Sequence, residues 1–227
     1  MRIRSILLLT ALLVAACSKP APPTLPWERI SPLPTDADLH ALAAARGRTV
    51  AAGEGGTILT STDGETWTLR PTGTTDDLFG VTAAPAGWVA VGDGAILTSP
   101  DAVTWTPRTG AANKDLRAVA CGPQTCVAVG DKGAAVAEKP SGKWAPVAMG
   151  TENDLLSVAY ANGKFIATGA RGTALASADG QAWTPLKPPL PEPPQGFYND
   201  LVSVMFTQDT WVIGVAGWGS FVLTSRD

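Results

Sequence analysis

The chain has 227 residues, 45% of them apolar, with 17 basic residues against 20 acidic ones, a single histidine and a net charge of −3. Two of the basic residues, Arg2 and Arg4, stand at the N-terminus; without them 15 basic side chains face 20 acidic ones, and that balance excludes the basic surface a nucleic-acid-binding protein needs. With Cys17 belonging to the N-terminal segment, two cysteines and one histidine, His40, remain, too few ligands for a structural zinc site, so no metal and no cofactor are expected.

Arg2 and Arg4 are followed by an apolar run from Ile6 to Ala16, the layout of an export signal, and the run is too short to span a bilayer as a stable helix. Residues 1–16 therefore read as a signal peptide. The stretch LVAAC, Leu13 to Cys17, resembles the lipobox of bacterial lipoproteins, in which the cysteine becomes the lipidated first residue of the mature chain. A plain secretory peptide cut after Ala16 is the alternative. Residues 17–26 are proline-rich and read as a semi-rigid tether. The resemblance implies membrane attachment through Cys17 and a place in the bacterial cell envelope; Ser18 after the cysteine implies the outer membrane, facing the periplasm.

The body, residues 27–227, is repetitive. An Asp-Leu pair followed by Val or Leu recurs at Asp38, Asp77, Asp115, Asp154 and Asp200, at intervals of 39, 38, 39 and 46 residues. Tryptophan recurs in step at Trp27, Trp67, Trp105, Trp144 and Trp183. Within each unit, short β-branched and aromatic runs alternate with Gly, Asp and Pro, and no helical period is long enough to matter. In chain order the predicted strands are Asp-Leu-x-x-Val, then a run such as WVAVG, then AILTS, then TWTP. Four-stranded units of about 40 residues repeated around an axis predict an all-β fold, a five-bladed β-propeller of four-stranded blades. Small residues two places after each repeated Leu, at Ala41, Gly80, Ala118, Ser157 and Ser203, put the first strand innermost, where the blades converge.

The last unit carries signals for three strands only, while an orphan fourth strand, PWERI at Pro26 to Ile30, precedes the first Asp-Leu. Pairing the two gives a three-plus-one clasp that removes an open sheet edge. The rival reading is a fragment of a longer propeller.

The turns before three of the tryptophans read STDGETW (Ser61 to Trp67), SPDAVTW (Ser99 to Trp105) and SADGQAW (Ser177 to Trp183). They resemble the Asp-box, or BNR-like, repeats of sialidase-type propellers. With strands such as WVAVG before them, they are most similar to the propeller family of photosystem II stability and assembly factors and its non-photosynthetic bacterial relatives. Members with the named photosynthetic role have more blades, and the third unit here, EKPSGKW at Glu138 to Trp144, has lost the Asp. Asp63, Asp101 and Asp179, with Trp67, Trp105 and Trp183, read as turn-holding rather than chemical residues.

Cys121 and Cys126, five residues apart in an exported chain, predict a hairpin disulfide; a metal pair is the alternative. No nucleophile motif or catalytic histidine stands out, so no enzyme activity is expected. Topology places Asp38, Asp77, Asp115, Asp154 and Asp200 on one face near the channel mouth, with Glu54, Asp93 and Asp131 further out. The plain reading is that each repeated Asp caps the turn into its own first strand; the sharper one is an acidic face for a cation or a basic partner. The same face carries the long inter-blade segment from Pro185 to Asp200, expected to protrude, with Phe197 and Tyr198 at its end and Trp218 in a nearby turn. These aromatics are candidate anchors for a partner. The expectation is a monomeric envelope lipoprotein that binds an envelope protein as an interaction or assembly scaffold; the alternatives are a carbohydrate-binding propeller on polysaccharide and a degenerate glycosidase.

Overall fold

In the computed structural model, residues 34–109 and 114–226 are described. Among the described residues every regular element is a β-strand or a single turn of 3-10 helix. Blade 1 consists of β1 (Leu39–Ala45), β2 (Arg48–Gly53), β3 (Ile58–Ser61) and β4 (Thr68–Arg70); blade 2 of β5 (Leu78–Ala84), β6 (Gly87–Gly92), β7 (Ile96–Ser99) and β8 (Thr106–Pro107). Blade 3 follows with β9 (Leu116–Cys121), β10 (Cys126–Gly130), β11 (Ala135–Glu138) and β12 (Trp144–Pro146). Blade 4 has β13 (Leu155–Ala161), β14 (Lys164–Gly169), β15 (Ala174–Ser177) and β16 (Thr184–Pro185), and blade 5 has β17 (Asn199–Thr207), β18 (Thr210–Gly217) and β19 (Phe221–Ser225).

Each blade is an antiparallel meander in sequence order, four-stranded in blades 1 to 4 and three-stranded in blade 5 among the described residues. The proposed closing strand at Pro26 to Ile30 lies outside the described residues, as do the signal, Cys17 and the tether. First strands of successive blades pack on one another, which places them innermost. The small residues explain the approach: a Cβ on Gly80 would lie 3.3 Å from the Ala118 Cα of the next blade. Apolar clusters fill each joint, for example Val50 and Ile58 of blade 1 with Leu78 and Val81 of blade 2. Arg46 adds a polar tie, donating from its guanidinium to the carbonyls of Ala84 (2.7 Å) and Pro85 (2.9 Å). No helix among the described residues is long and apolar enough to cross a membrane.

Cys121 and Cys126 face each other across the β9–β10 hairpin and form the disulfide. It closes a short loop, so it reinforces the hairpin locally rather than the whole fold.

Candidate functional site

The acidic face is built by a device that joins neighbouring blades. In blades 1 to 4 the main-chain carbonyl of the repeated Asp accepts from the first residue after the second strand of its own blade: Glu54 N to Asp38 O (2.9 Å), Asp93 N to Asp77 O (2.9 Å), Asp131 N to Asp115 O (3.0 Å) and Ala170 N to Asp154 O (2.8 Å). The chains come so close there that a Cβ on Gly169 would lie 2.0 Å from that Asp154 carbonyl, which is why the second strand ends in glycine. The carboxylates point the other way. Asp77 accepts from Gly55 N (2.8 Å), Asp154 from Lys132 N (2.8 Å) and Asp200 from Arg171 N (2.9 Å), each in the turn between the second and third strands of the preceding blade.

This corrects the reading that each Asp caps the turn into its own first strand. The capped amide belongs to a residue in the left-handed region, with φ of 60° at Gly55, 54° at Lys132 and 56° at Arg171. Such a turn turns its amide out of the ladder, and the next blade's carboxylate supplies the missing acceptor. Blade 2 differs because its turn is one residue shorter, and Gly94 N donates to the Lys114 carbonyl instead (2.9 Å).

The carboxylates of Asp77, Asp154 and Asp200 are engaged in turns. Among the described residues, no group of three or more His, Cys, Asp or Glu is placed to hold a metal ion. The charge is nevertheless concentrated: partial burial, then the neighbouring carboxylates of Asp115 and Asp77, push the Asp93 carboxyl up from its ordinary value. Arg117, reaching up from β9, forms a two-pronged ion pair with Asp131, with Nη2 donating to Oδ2 at 2.7 Å, and that bond holds the Asp131 carboxyl down.

Blade 5 carries the aromatics. Phe197 and Tyr198 lie just before β17, and Trp218 lies in the turn between β18 and β19; all three are about half exposed. Trp218 N donates to the Tyr198 carbonyl (3.2 Å), and the Arg171 guanidinium sits 4.8 Å from the Tyr198 ring centroid, so a cation covers one ring of the group. Trp218 is not shielded by the proline segment. That segment is pinned rather than freely protruding: Asn199 Nδ2 donates to the Pro191 carbonyl (3.0 Å), and Leu190 packs into the joint between blades 4 and 5. An exposed aromatic group beside a guanidinium suits an apolar or carboxylate-bearing partner segment.

On the Asp-box side, the boxes are tight turns. Asp63 Oδ1 accepts from Glu65 N (2.9 Å) and Thr66 N (2.8 Å), Ser61 Oγ donates to the same oxygen (2.9 Å), and Trp67 Nε1 donates to the Gly64 carbonyl (3.1 Å). Asp101 and Asp179 are held in the same way, with Trp105 and Trp183 donating to Ala102 and Gly180. Main-chain amides hold the carboxyls of Asp63 and Asp101 down at about 2, and that of Asp179 below its ordinary value. The degenerate third turn leaves a cleft of about 600 Å³ between blades 2 and 3, lined in part by Pro85, Arg108, Thr125, Glu138 and Lys139. Burial pushes the Glu138 carboxyl up, while nearby Arg108 acts against it. The only sequence signal of this cleft is the loss of the Asp in EKPSGKW.

No protein-family model matches the sequence, and no curated protein matches it. Solved structures match it in fold. YCF48 from Cyanidioschyzon merolae superposes with a TM-score of 0.57 at 18% identity, covering 81% of this chain and 66% of its own. A YCF48 bound to a D1 peptide gives a TM-score of 0.57 at 18% identity, covering 81% of this chain and 64% of its own. The chain thus spans about two thirds of the length of the YCF48 chains it matches. By fold it is a β-propeller like that of the photosystem II assembly factor YCF48.

Proposed function

We propose that the chain is a non-enzymatic protein-interaction module, an assembly scaffold exported to the bacterial cell envelope and held there by a lipid on Cys17. The observation that carries this reading is the half-exposed group of Phe197, Tyr198 and Trp218 on a single blade, backed by Arg171 of the preceding one. Aromatics in one blade suit one protein partner; a lectin with a site in each blade would repeat them. A YCF48 has been solved with a D1 peptide bound, so a propeller of this fold can take a peptide. The engagement of the box carboxylates by turn amides supports a scaffold over a hydrolase. The reading includes a ring of five four-stranded blades whose last blade is completed by Pro26 to Ile30, since Trp27 precedes Asp38 by nearly the spacing that separates Trp67 from Asp77.

The test is capture from crosslinked cell envelopes, comparing the native chain with a variant carrying Phe197→Ala, Tyr198→Ala and Trp218→Ala that has first been shown to fold. The expected result is a specific envelope protein retained by the native chain and lost from the variant. An unchanged partner, or capture of polysaccharide alone, overturns the reading.

A further inference from the structure

In blades 2 and 4 the Asp box also fills the joint with the preceding blade, through its fourth residue. Ala102 is 0% exposed and packs in one apolar cluster with Val50, Ala52 and Ile58 of blade 1. Gly180 lies so close to blade 3 that a Cβ there would meet Val127 Cγ2 at 2.7 Å and Thr125 Cγ2 at 3.2 Å. The main-chain carbonyls of the same two residues accept from Trp105 Nε1 (3.1 Å) and Trp183 Nε1 (3.3 Å). A small residue and its carbonyl thus seal the joint and satisfy the indole together.

Blade 3 has neither half of this seal. Glu138 and Pro140 stand where the boxes have Ser and Asp, so the side chains that gather the turn amides are missing. The turn closes on itself instead, with Lys139 N donating to the Lys143 carbonyl (2.8 Å) and Gly142 N to the Lys139 carbonyl (2.8 Å). Its fourth residue, Ser141, is exposed. The result is the cleft of about 600 Å³ between blades 2 and 3, with Ser141 and Gly142 on its wall.

Two polar groups are left over in this part of the joint. Trp144, 4% exposed, packs with Ala84, Val89 and Cys126, which line the cleft, and its Nε1 has no partner among the described residues. Glu138 lines the cleft partly buried, and its carboxylate has no hydrogen-bond or ion-pair partner among the described residues. The two cations of the cleft wall are engaged elsewhere. Arg108 donates from Nε to Thr98 Oγ1 (2.6 Å), and Lys139 donates from Nζ to Gln181 Oε1 of blade 4.

We propose that the cleft takes a short peptide segment of a partner protein, seating a Gly or Ala in the joint with its main-chain carbonyl on Trp144 Nε1 and a Lys or Arg against Glu138. The occupant is a peptide because main chain at a small residue fills the equivalent place in blades 2 and 4. It is basic because a partly buried carboxylate without a cation is costly, whereas Arg108 is exposed and needs no counter-charge. A sugar would need an exposed aromatic plate, and Trp88 and Trp144 are 3% and 4% exposed. The site lies on the Asp-box side and does not depend on the reading of blade 5 as a partner face.

The test is selection of phage-displayed random hexapeptides on the full native chain, after depletion on a variant carrying Glu138→Ser, Pro140→Asp and Ser141→Gly. That variant restores the box, should melt at or above the native temperature, and removes binders to every other surface, blade 5 included. The expected result is a set of peptides sharing a Gly or Ala and a Lys or Arg. Synthetic copies should shift the indole N–H resonance of Trp144, assigned with Trp144→Phe, and should bind Glu138→Gln about tenfold or more weakly. They should bind undiminished to the chain carrying Phe197→Ala, Tyr198→Ala and Trp218→Ala. If the restored variant melts below the native chain, depletion on Glu138→Gln makes the same comparison without altering the turn. Absence of peptides specific to the native chain overturns the proposal, as do peptides that leave the Trp144 resonance unmoved or carry no basic residue. Peptides lost from the aromatic variant belong to blade 5 and overturn it too.

Discussion

The carboxylate of Asp154 accepts the main-chain amide of Lys132 across the joint between blades 3 and 4, at 2.8 Å. Asp154 thus serves two blades, since its own carbonyl holds the turn at Ala170. Removing the carboxylate leaves a left-handed turn without its acceptor. Asp154→Ala should cost about 1 kcal/mol, which in a chain of this size lowers the melting temperature by about 2–4 °C. The same change at Asp115 should cost less, because Gly94 N already donates to a main-chain carbonyl. Thermal melts of the two variants side by side check this, and equal losses would contradict the assigned role.

Lys132 and Gly169 make opposite demands on the backbone. Lys132 holds φ of 54°, a conformation that costs a residue with a Cβ about 1–2 kcal/mol. Lys132→Gly relieves that cost but adds freedom to the unfolded chain, leaving a net stabilisation below about 1 kcal/mol. At Gly169 a new Cβ would lie 2.0 Å from the Asp154 carbonyl oxygen, a clash with main chain that no rotamer relieves. Gly169→Ala should destabilise by about 2 kcal/mol or more. Urea denaturation of both variants measures the two signs.

Much of this architecture is legible because most blades repeat the same turn chemistry. The interval of 38 or 39 residues between the first four Asp-Leu pairs, the small residues at Gly80 and Ala118 and the Ser-x-Asp boxes each mark a local constraint, and a local constraint leaves a local pattern. The direction of the Asp154 carboxylate leaves none. It satisfies an amide 22 residues earlier in the preceding blade, and the same Asp-Leu spelling fits a residue capping its own strand. The cleft near Glu138 follows from a turn that lost its pattern, and a missing pattern does not say what shape replaces it.

Trp105 and Trp144 occupy the same repeat position and differ in one bond. Trp105 is buried and its Nε1 donates to the Ala102 carbonyl (3.1 Å). Trp144 is equally buried, but in the degenerate turn its Nε1 finds no partner among the described residues. Changing either to Phe removes similar apolar surface. Trp105→Phe also strands a carbonyl, whereas Trp144→Phe removes a donor that was already unsatisfied. Trp105→Phe should therefore cost about 1–2 kcal/mol more than Trp144→Phe. Chemical denaturation of the pair reads the difference directly, and equal costs would mean that the indole hydrogen bond contributes nothing.

The Asp boxes set the acid limit of the fold. In the folded chain, main-chain amides, chiefly those of Thr66 and Thr104, lower the carboxyls of Asp63 and Asp101 from 3.8 to about 2. A carboxyl whose pKa is depressed by folding stabilises the fold fully above its unfolded value and loses that contribution as pH falls through the folded one. Stability should therefore hold down to about pH 4 and decline between about pH 4 and 2, as these boxes take up protons. Asp93 acts in the opposite sense. Burial and its neighbours raise its pKa, so its charged form opposes folding, and Asp93→Asn should stabilise the chain at neutral pH without moving the acid transition. Carboxyl-carbon NMR titration of Asp63 and Asp101 is the direct measurement. Midpoints near 3.8 would remove the boxes as the source of acid sensitivity, whereas midpoints near 2, with unfolding over the same range, tie the acid limit to turns that three blades share.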